Sequence, residues 1–385
     1  MKRRLLLLAA VPVLAGTVWI IDNLRRPYRA YSGNLILVIE PGTHAPEVAD
    51  LLASRGVLAH RLPFLLLHLY GRGRHHRLKA GEYLFDRPLS PVDVYRKLIR
   101  GDVYLHPVVI PEGSDRFDIA RIVEHQLGVS PEDFLRSTEQ SSLIRDIDPG
   151  ALNLEGYLYP DTYRFPRTAG PETVVTAMLA RFRRVLESQL PSELALSPER
   201  LRATITLASL VEKETPDSAE RPIIAGVFTR RLERNMPLEC DPTVIYANRL
   251  VRRPISRSND PITRSELAAD SPYNTYMRAG LPPGPICSPG LVSIRAALNP
   301  TAGQSLYFVS NNRGGHVFAS TLQEHQRNVT RYRREVAALR RPPASNDGGA
   351  DQPGSTSHPT ARPAGRQGHR PSRSKRGQEE EAAHP

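Results

Sequence analysis

The sequence predicts an α+β protein: an N-terminal membrane helix, a front domain of alternating strands and helices, and a mixed α/β domain of helices and Pro/Gly-rich loops. Three observations predict it. Leu5 to Ile21 is an apolar run of 17 residues. A strand, turn and helix pattern occurs twice, with Gly42 and Gly113 at the same place in each copy. From about residue 150, long helical patterns alternate with proline-rich loops. The expected divisions are 1–33 for anchor and stem, 34–145 and 146–340 for two folded domains, and 341–385 for a disordered tail.

Taken in order, Lys2, Arg3 and Arg4 precede the apolar run, which ends in Trp19-Ile20-Ile21 before Asp22. As a helix the run is about 26 Å long, just enough for a bilayer core. A signal peptide cleaved after Val13-Leu14-Ala15 shares this opening, but the run continues past Ala15 to an interfacial Trp, which favours an uncleaved anchor. Basic residues flank both sides, so charge alone does not set the orientation. A single span with everything else C-terminal to it predicts an exported, tethered protein, on the periplasmic side of the cytoplasmic membrane.

Leu35–Ile39 reads as a strand bounded by Pro41-Gly42. Val48, Leu51, Leu52 and Val57 then follow at helical spacing, with Gly56 as a stop. Ile39-Glu-Pro-Gly-Thr43 matches Ile110-Pro-Glu-Gly-Ser114 downstream, and Ala49, Leu51 and Leu52 fall on Ala120, Ile122 and Val123. Between the copies lie a strand at Gly81–Phe85 and a helix over 92–99. Beyond residue 150, Leu154 to Phe165 reads as loop or edge strand. Helices are expected over about 174–190, 199–214 and 218–234, the third capped by Asp217 or Ser218. Pro/Gly loops then carry Asp241-Pro-Thr243 and 271–290. A strand at 305–310, a turn at 311–315 and a helix over 322–340 complete the domain.

The chain carries 52 Lys+Arg against 40 Asp+Glu, a net charge of +12, with 35 Pro and 2 Cys. Two cysteines exclude a disulfide-dense scaffold and a four-thiolate zinc site. The tail after Arg341 is nearly all polar, Pro and Gly, with nothing to bury. Its charges nearly cancel, so the positive charge lies elsewhere.

The chemically unusual segment is Thr204 to Thr215, an apolar helix with Glu212 and Glu214 near its C-terminal end. A carboxylate there opposes the helix dipole, and burial further disfavours its charge, which suits a general acid. Glu212 shares a stripe with Leu201, Ile205, Ala208 and Ser209, and Glu214 shares one with Ala203, Leu207 and Leu210. Periodicity does not choose between them. The structural alternative is that Lys213 and Arg221 simply pair these carboxylates. Three further stretches, Cys240–Tyr246, Ser271–Gly284 and Asn311–Phe318, combine aromatics, amides and rigid turns, a composition suited to sugar clefts. Cys240 and Cys287 adjoin two of them; an oxidising compartment would permit a disulfide between the two loops, with two free thiols as the alternative.

Six ordered motifs now carry a resemblance: Glu155–Tyr163, Ala208–Thr215, Asp241–Tyr246, Tyr273–Tyr276, Gly280–Gly284 and Gly314–Phe318. Together they resemble the endolytic murein transglycosylase, or YceG-like, family over about residues 35–338. The repeated Gly-Thr/Ser turn and Ala-x-Leu helix resembles the LysM module, which implies a glycan-binding front domain, with a spacer or docking domain as the alternative. The family resemblance implies non-hydrolytic cleavage of the MurNAc–GlcNAc β-1,4 bond of peptidoglycan, leaving 1,6-anhydro-MurNAc ends. It assigns the catalytic role to Glu212, the first glutamate of Val-Glu-Lys-Glu-Thr. Tyr246, Asn274 and Tyr276 are then expected near substrate, and Asp241, Thr243 and His316 in contact with it or supporting it. Glu155 is a second candidate carboxylate, with an Arg-paired structural role as the alternative. No metal or organic cofactor is called for.

The expected partners are peptidoglycan strands, the bilayer through residues 5–21, and enzymes that polymerise peptidoglycan. A glycan-binding or scaffolding protein without catalysis is the non-enzymatic alternative. Pyridoxal chemistry would need a Schiff-base lysine, and Lys213 is the only lysine of the C-terminal domain. No nucleic-acid partner is expected, because the aromatics cluster in Pro/Gly loops and form no basic stripe.

Overall fold

A computed structural model of the protein describes residues 2–190, 196–251 and 262–339, with side chains from residue 14 to residue 338 within those ranges. The expected disordered tail therefore lies outside the described residues. Helix α1 (Lys2–Arg25) covers the N-terminal apolar run. Among the described residues no helix is long and apolar enough to cross a membrane. The side chains of the first half of the apolar run lie outside that set.

The repeat seen in the sequence is a repeat of structure. Its first copy is β1 (Leu35–Ile39), α2 (Ala45–Ser54), α3 (Arg61–Arg72) and β2 (Gly81–Phe85), followed by α4 (Pro91–Arg100). Its second is β3 (His106–Val109), α5 (Arg116–Leu127), α6 (Pro131–Thr138) and, after a 3-10 turn at Ser141–Ile144, β4 (Thr162–Phe165). In each copy the outer strands pair antiparallel, Leu35 opposite Phe85 and His106 opposite Phe165. Gly42 and Gly113 turn the chain after the first strand with φ of 86° and 75°, a left-handed conformation that costs other residues free energy. Ser90, Asp115 and Ser130 cap α4, α5 and α6 by accepting backbone N–H groups of the first turn. The expected strand, turn and helix unit is thus strand, helix, helix, strand.

The remaining elements are α7 (Pro171–Gln189), α8 (Pro198–Glu214), α9 (Arg221–Glu233), α10 (Asp241–Val251), α11 (Arg264–Leu267), α12 (Leu291–Leu298), the hairpin β5 (Tyr307–Ser310) and β6 (His316–Ala319), and α13 (Leu322–Leu339). Helix and sheet are mixed, as an α+β class requires. Several elements differ from expectation: α7 starts at Pro171, ahead of the expected 174, and α12 and β6 were not expected. Asp241–Val251 is a helix where loop was expected, and α9 starts at Arg221 after Glu220 because Asp217 is used earlier, accepting the N–H of Ala219.

Alternation of burial along β1 sends Leu37 and Ile39 inward to a core with Val48, Leu52, Phe64, Tyr83, Phe85 and Leu98. A second core joins Val108, Ile110, Ile119 and Phe134 of the second copy to Met178 and Phe182 of α7 and Ile205 of α8. A third gathers Leu207, Leu210 and Val211 of α8 with Ile224, Phe228, Tyr246 and Ile286. Helix α8 thus lies between two cores, which explains why it is apolar on all sides and why its periodicity is uninformative.

Candidate active site

Helix α8 delivers both glutamates at its last turn. The Glu212 side chain is only 4% exposed. Its carboxylate accepts from Arg221 Nη2 at 2.8 Å and Nη1 at 3.3 Å, a forked pairing that fixes its orientation. It also accepts the backbone N–H of Gly290 at 3.0 Å, at the start of α12. Arg221 opens α9, so three helix ends meet at one carboxylate.

The turn of the second repeat copy closes over this point. A Cβ on Gly113 would lie 3.5 Å from Glu212 Cγ, and the Lys213 ammonium donates to the Gly113 carbonyl at 3.2 Å. Gly113 and Ser114 exchange backbone hydrogen bonds with Ser288, tying the turn to the loop before α12. Next in the turn is Glu112, half exposed, with its carboxylate 3.6 Å from Arg221 Nη1. A Cβ on Gly290 would sit 2.1 Å from the Glu112 carboxyl group, so this position accepts only glycine unless that side chain moves. Glu112, Arg221 and Glu212 form a row that runs inward from half-exposed Glu112 to the nearly buried Arg221 and Glu212.

Glu214 faces another set of groups. Burial pushes its carboxyl up to about 7, and Asp241 adds to this, while a hydrogen bond from the Cys240 thiol and the charge of His316 oppose it. His316, carried by the β5–β6 hairpin, donates its backbone N–H to Glu220 at 2.7 Å and places Nδ1 2.7 Å from the same carboxylate. Burial alone would raise Glu220, but the hydrogen bonds from His316 and Thr215 outweigh it and hold that carboxyl below its usual range. Tyr276 donates to Asp241, and burial together with that contact raises its hydroxyl pKa.

The other expected site residues lie in the interior. Tyr246 is buried and donates to Glu155 at 3.1 Å, and Glu155 also accepts the Arg116 N–H at 3.1 Å. Burial, then repulsion from Asp115, pushes Glu155 up to about 8, and its Oε1 has no hydrogen-bond partner. Asn274 is fully buried: its amide donates to the Leu267 and Ala269 carbonyls and its oxygen accepts the Tyr276 N–H. Thr243 donates to the Cys240 carbonyl and meets Thr275. Asn274 and Thr243 thus hold the loop that carries Tyr276 against the start of α10, which carries Asp241. Cys240 and Cys287 are buried free thiols, with Cys287 donating to the Ser209 carbonyl at 3.3 Å, so no disulfide ties the two loops.

Sequence reasoning weighed Arg221 only as a structural partner and missed Glu112, Glu220 and Gly290. The signal for Glu112 was present: the two repeat turns differ there, Pro41 in the first and Glu112 in the second.

The family model of the YceG-like family matches residues 37–331. The chain belongs to that family. It is 32% identical over 346 residues to a protein named endolytic murein transglycosylase from Streptococcus pneumoniae serotype 2, covering 82% of this chain and 62% of that one. The chain thus spans less than two thirds of that relative's length. A protein of the same name from Bacillus subtilis is 30% identical over 311 residues, covering 76% of this chain and 83% of its own. A YceG-like protein from Listeria monocytogenes, solved by crystallography at 2.6 Å, superposes with a TM-score of 0.52 at 31% identity, covering 77% of this chain and all of that one.

Proposed function

We propose that this YceG-like chain is a peptidoglycan lytic transglycosylase that cuts MurNAc–GlcNAc β-1,4 bonds within a strand. The observation that carries this reading is Glu212, a nearly buried carboxyl held by Arg221 and the Gly290 N–H under the 110–114 turn. The names of the streptococcal and bacillary relatives support the reaction class.

In this reading one carboxyl suffices. Glu212 gives a proton to the GlcNAc O4 as the C1–O4 bond breaks. It then takes the proton of the MurNAc C6 hydroxyl as that oxygen bonds to C1. The 1,6-anhydro ring closes, no water is consumed, and Glu212 regains its starting protonation state. Arg221 keeps the carboxyl on one trajectory between the two oxygens. Asp241, Tyr276 and His316 are assigned to the substrate side, and Glu155, Tyr246, Asn274 and Thr243 to support.

A second reading is favoured by Glu112, a second carboxylate on Arg221. Two carboxylates are what a hydrolase uses, one as acid and one to activate water or attack C1. Mass spectrometry of products from intact sacculi separates the two. The lytic reaction gives fragments lighter by one water than hydrolysis does. Glu212→Gln should lower the rate about 10²–10⁴-fold, the usual contribution of a general acid–base group. Reducing ends without the anhydro form would establish hydrolysis, and undiminished activity in Glu212→Gln would remove the residue assignment.

We assign α1 the role of single-pass anchor in the cytoplasmic membrane, with the folded domains on the periplasmic side and the front domain, LysM-like, against glycan. Such a tether confines cutting to strands near the membrane, where enzymes that polymerise peptidoglycan release them, and so sets strand length. Deleting residues 1–33 should change how much nascent glycan is cut, and an unchanged pattern would count against the tether.

A further inference from the structure

The two repeat copies differ on one face. Phe64 and Leu65 of α3 correspond to Phe134 and Leu135 of α6, with Phe64 and Phe134 fully buried in their respective cores. Counting outward from that pair, Glu132 and Arg136 of α6 are exposed, as are Glu139, which pairs with Arg116, and Gln140 just past its end. The same positions of α3 hold Leu62, Leu66, Leu69 and Tyr70, exposed by 48%, 37%, 68% and 64%. The fold at this position tolerates charge, so packing within the described chain does not account for the apolar residues.

The surroundings of that face are basic. From Arg72 to Lys79 the chain carries Arg72, Arg74, Arg77 and Lys79, all exposed, with no acidic residue among them. The Arg74 guanidinium lies 4.6 Å over the Tyr70 ring, at the border between apolar stripe and basic segment. At the other end of α3, the His60 ring is 5.2 Å from that of Trp19 on α1. An apolar stripe continuous with a cationic segment is the arrangement of helices that lie in the plane of an anionic membrane surface.

We infer that the outward face of α3 and the Arg72–Lys79 segment dock on anionic phospholipid. The apolar side chains enter the boundary between headgroups and acyl chains while the arginines and lysine pair with phosphates. This surface is separate from the Glu212 site, and the inference does not rest on the glycan-cleaving reading. Docking would fix the front domain against the bilayer at a second place besides α1.

The test uses the full chain with an environment-sensitive fluorophore on Leu69→Cys, or on Arg136→Cys as the control from the other copy. Cys240 and Cys287 are buried and remain unlabelled. Vesicles of neutral phosphatidylcholine, or of an equal mixture with phosphatidylglycerol, carry a quencher in the acyl chains. The expected result is a blue shift and quenching at position 69 in the anionic vesicles, weakened by salt, with position 136 unchanged. Reversing Arg72, Arg74 and Arg77 to Glu should reduce the quenched fraction at least about tenfold. Equal signals at 69 and 136, equal quenching in neutral vesicles, or unchanged quenching after charge reversal would overturn the inference. A blue shift without vesicles that grows with protein concentration would mean that a second copy covers the face, and would overturn it too.

Discussion

The two copies of the strand, helix, helix, strand unit have the same backbone plan and different work. The first closes around its own core, and its turn at Gly42 has nothing within 4 Å of where a Cβ would stand. The second shares its core with α7 and α8, and its turn lies against Glu212 and Lys213. Its helix cap also differs. Asp115 is buried and paired with Arg249, where the first copy has His44 with no side-chain cap hydrogen bond. A repeat that is self-contained can serve as a spacer or docking unit. One that shares a core with the helix carrying Glu212 becomes a wall around that carboxyl.

Two large effects would break or sharpen this contrast. Phe64→Ala and Phe134→Ala should each cost about 3–5 kcal/mol, the usual cost of emptying a fully buried aromatic site. Hydrogen exchange should then differ. Phe64→Ala should release the amides of β1, α3 and β2 while α8 stays protected, and Phe134→Ala should release α5, α7 and α8 together. Loss of α8 protection in both variants would make the copies one cooperative unit.

The second effect depends on pH. Among the described residues of the first copy no acidic side chain is buried, whereas the second spans Asp115 and Glu155. Glu155 is raised to about 8 from an ordinary value near 4.5. A raised carboxyl contributes stability that is fully present below its unfolded pKa and is lost as pH rises through the folded pKa. Stability should therefore decline from about pH 4.5 to pH 8, by roughly 2–5 kcal/mol, and Glu155→Gln should flatten the decline. Denaturant melts across this range, with exchange read separately in β1–β2 and β3–β4, check it. A decline that appears first in β1–β2 would contradict the contrast.

A smaller effect concerns the turn itself. Glu112→Gln should lower kcat/KM about tenfold, the value of about 1.4 kcal/mol in transition-state stabilisation, while Pro41→Ala at the matching place leaves it unchanged. Product analysis on Glu112→Gln also bears on mechanism: a hydrolase would lose its second carboxylate and far more activity.

The repeat was legible because its signals are local: an alternating run, a glycine in left-handed geometry, then helical spacing, each within about twenty residues. The ends of α8 and α9 were legible to within three residues for the same reason. The pairing of Arg221 with Glu212, nine residues away, was also within reach, but the approach of Glu112 was not, because it lies a hundred residues from Glu212 in the chain. Tyr246, Asn274 and Thr243 were read as cleft residues from composition, yet amides and hydroxyls that close loops look identical in sequence to those that hold sugars. Only burial separates the two uses, and α8, packed between two cores, gave no clue to which glutamate lay under the 110–114 turn.

The smallest predicted effect is the most selective. Gly42→Ala and Gly113→Ala place a Cβ on two residues with nearly equal positive φ, so each should cost about 1 kcal/mol of stability through backbone strain. Neither Cβ clashes: one meets nothing, and the other reaches Glu212 Cγ at 3.5 Å, an ordinary contact distance. The backbone cost is therefore shared, and any difference between the variants comes from what lies above the turn. A methyl group at 113 fills space beside Glu212 and beside the carbonyl that Lys213 holds. Glycan cleavage should fall several-fold in Gly113→Ala, about 1 kcal/mol in the barrier, and stay at the wild-type rate in Gly42→Ala. Equal activity in two equally destabilised variants would show that the second turn is scaffold, and that the site begins at α8.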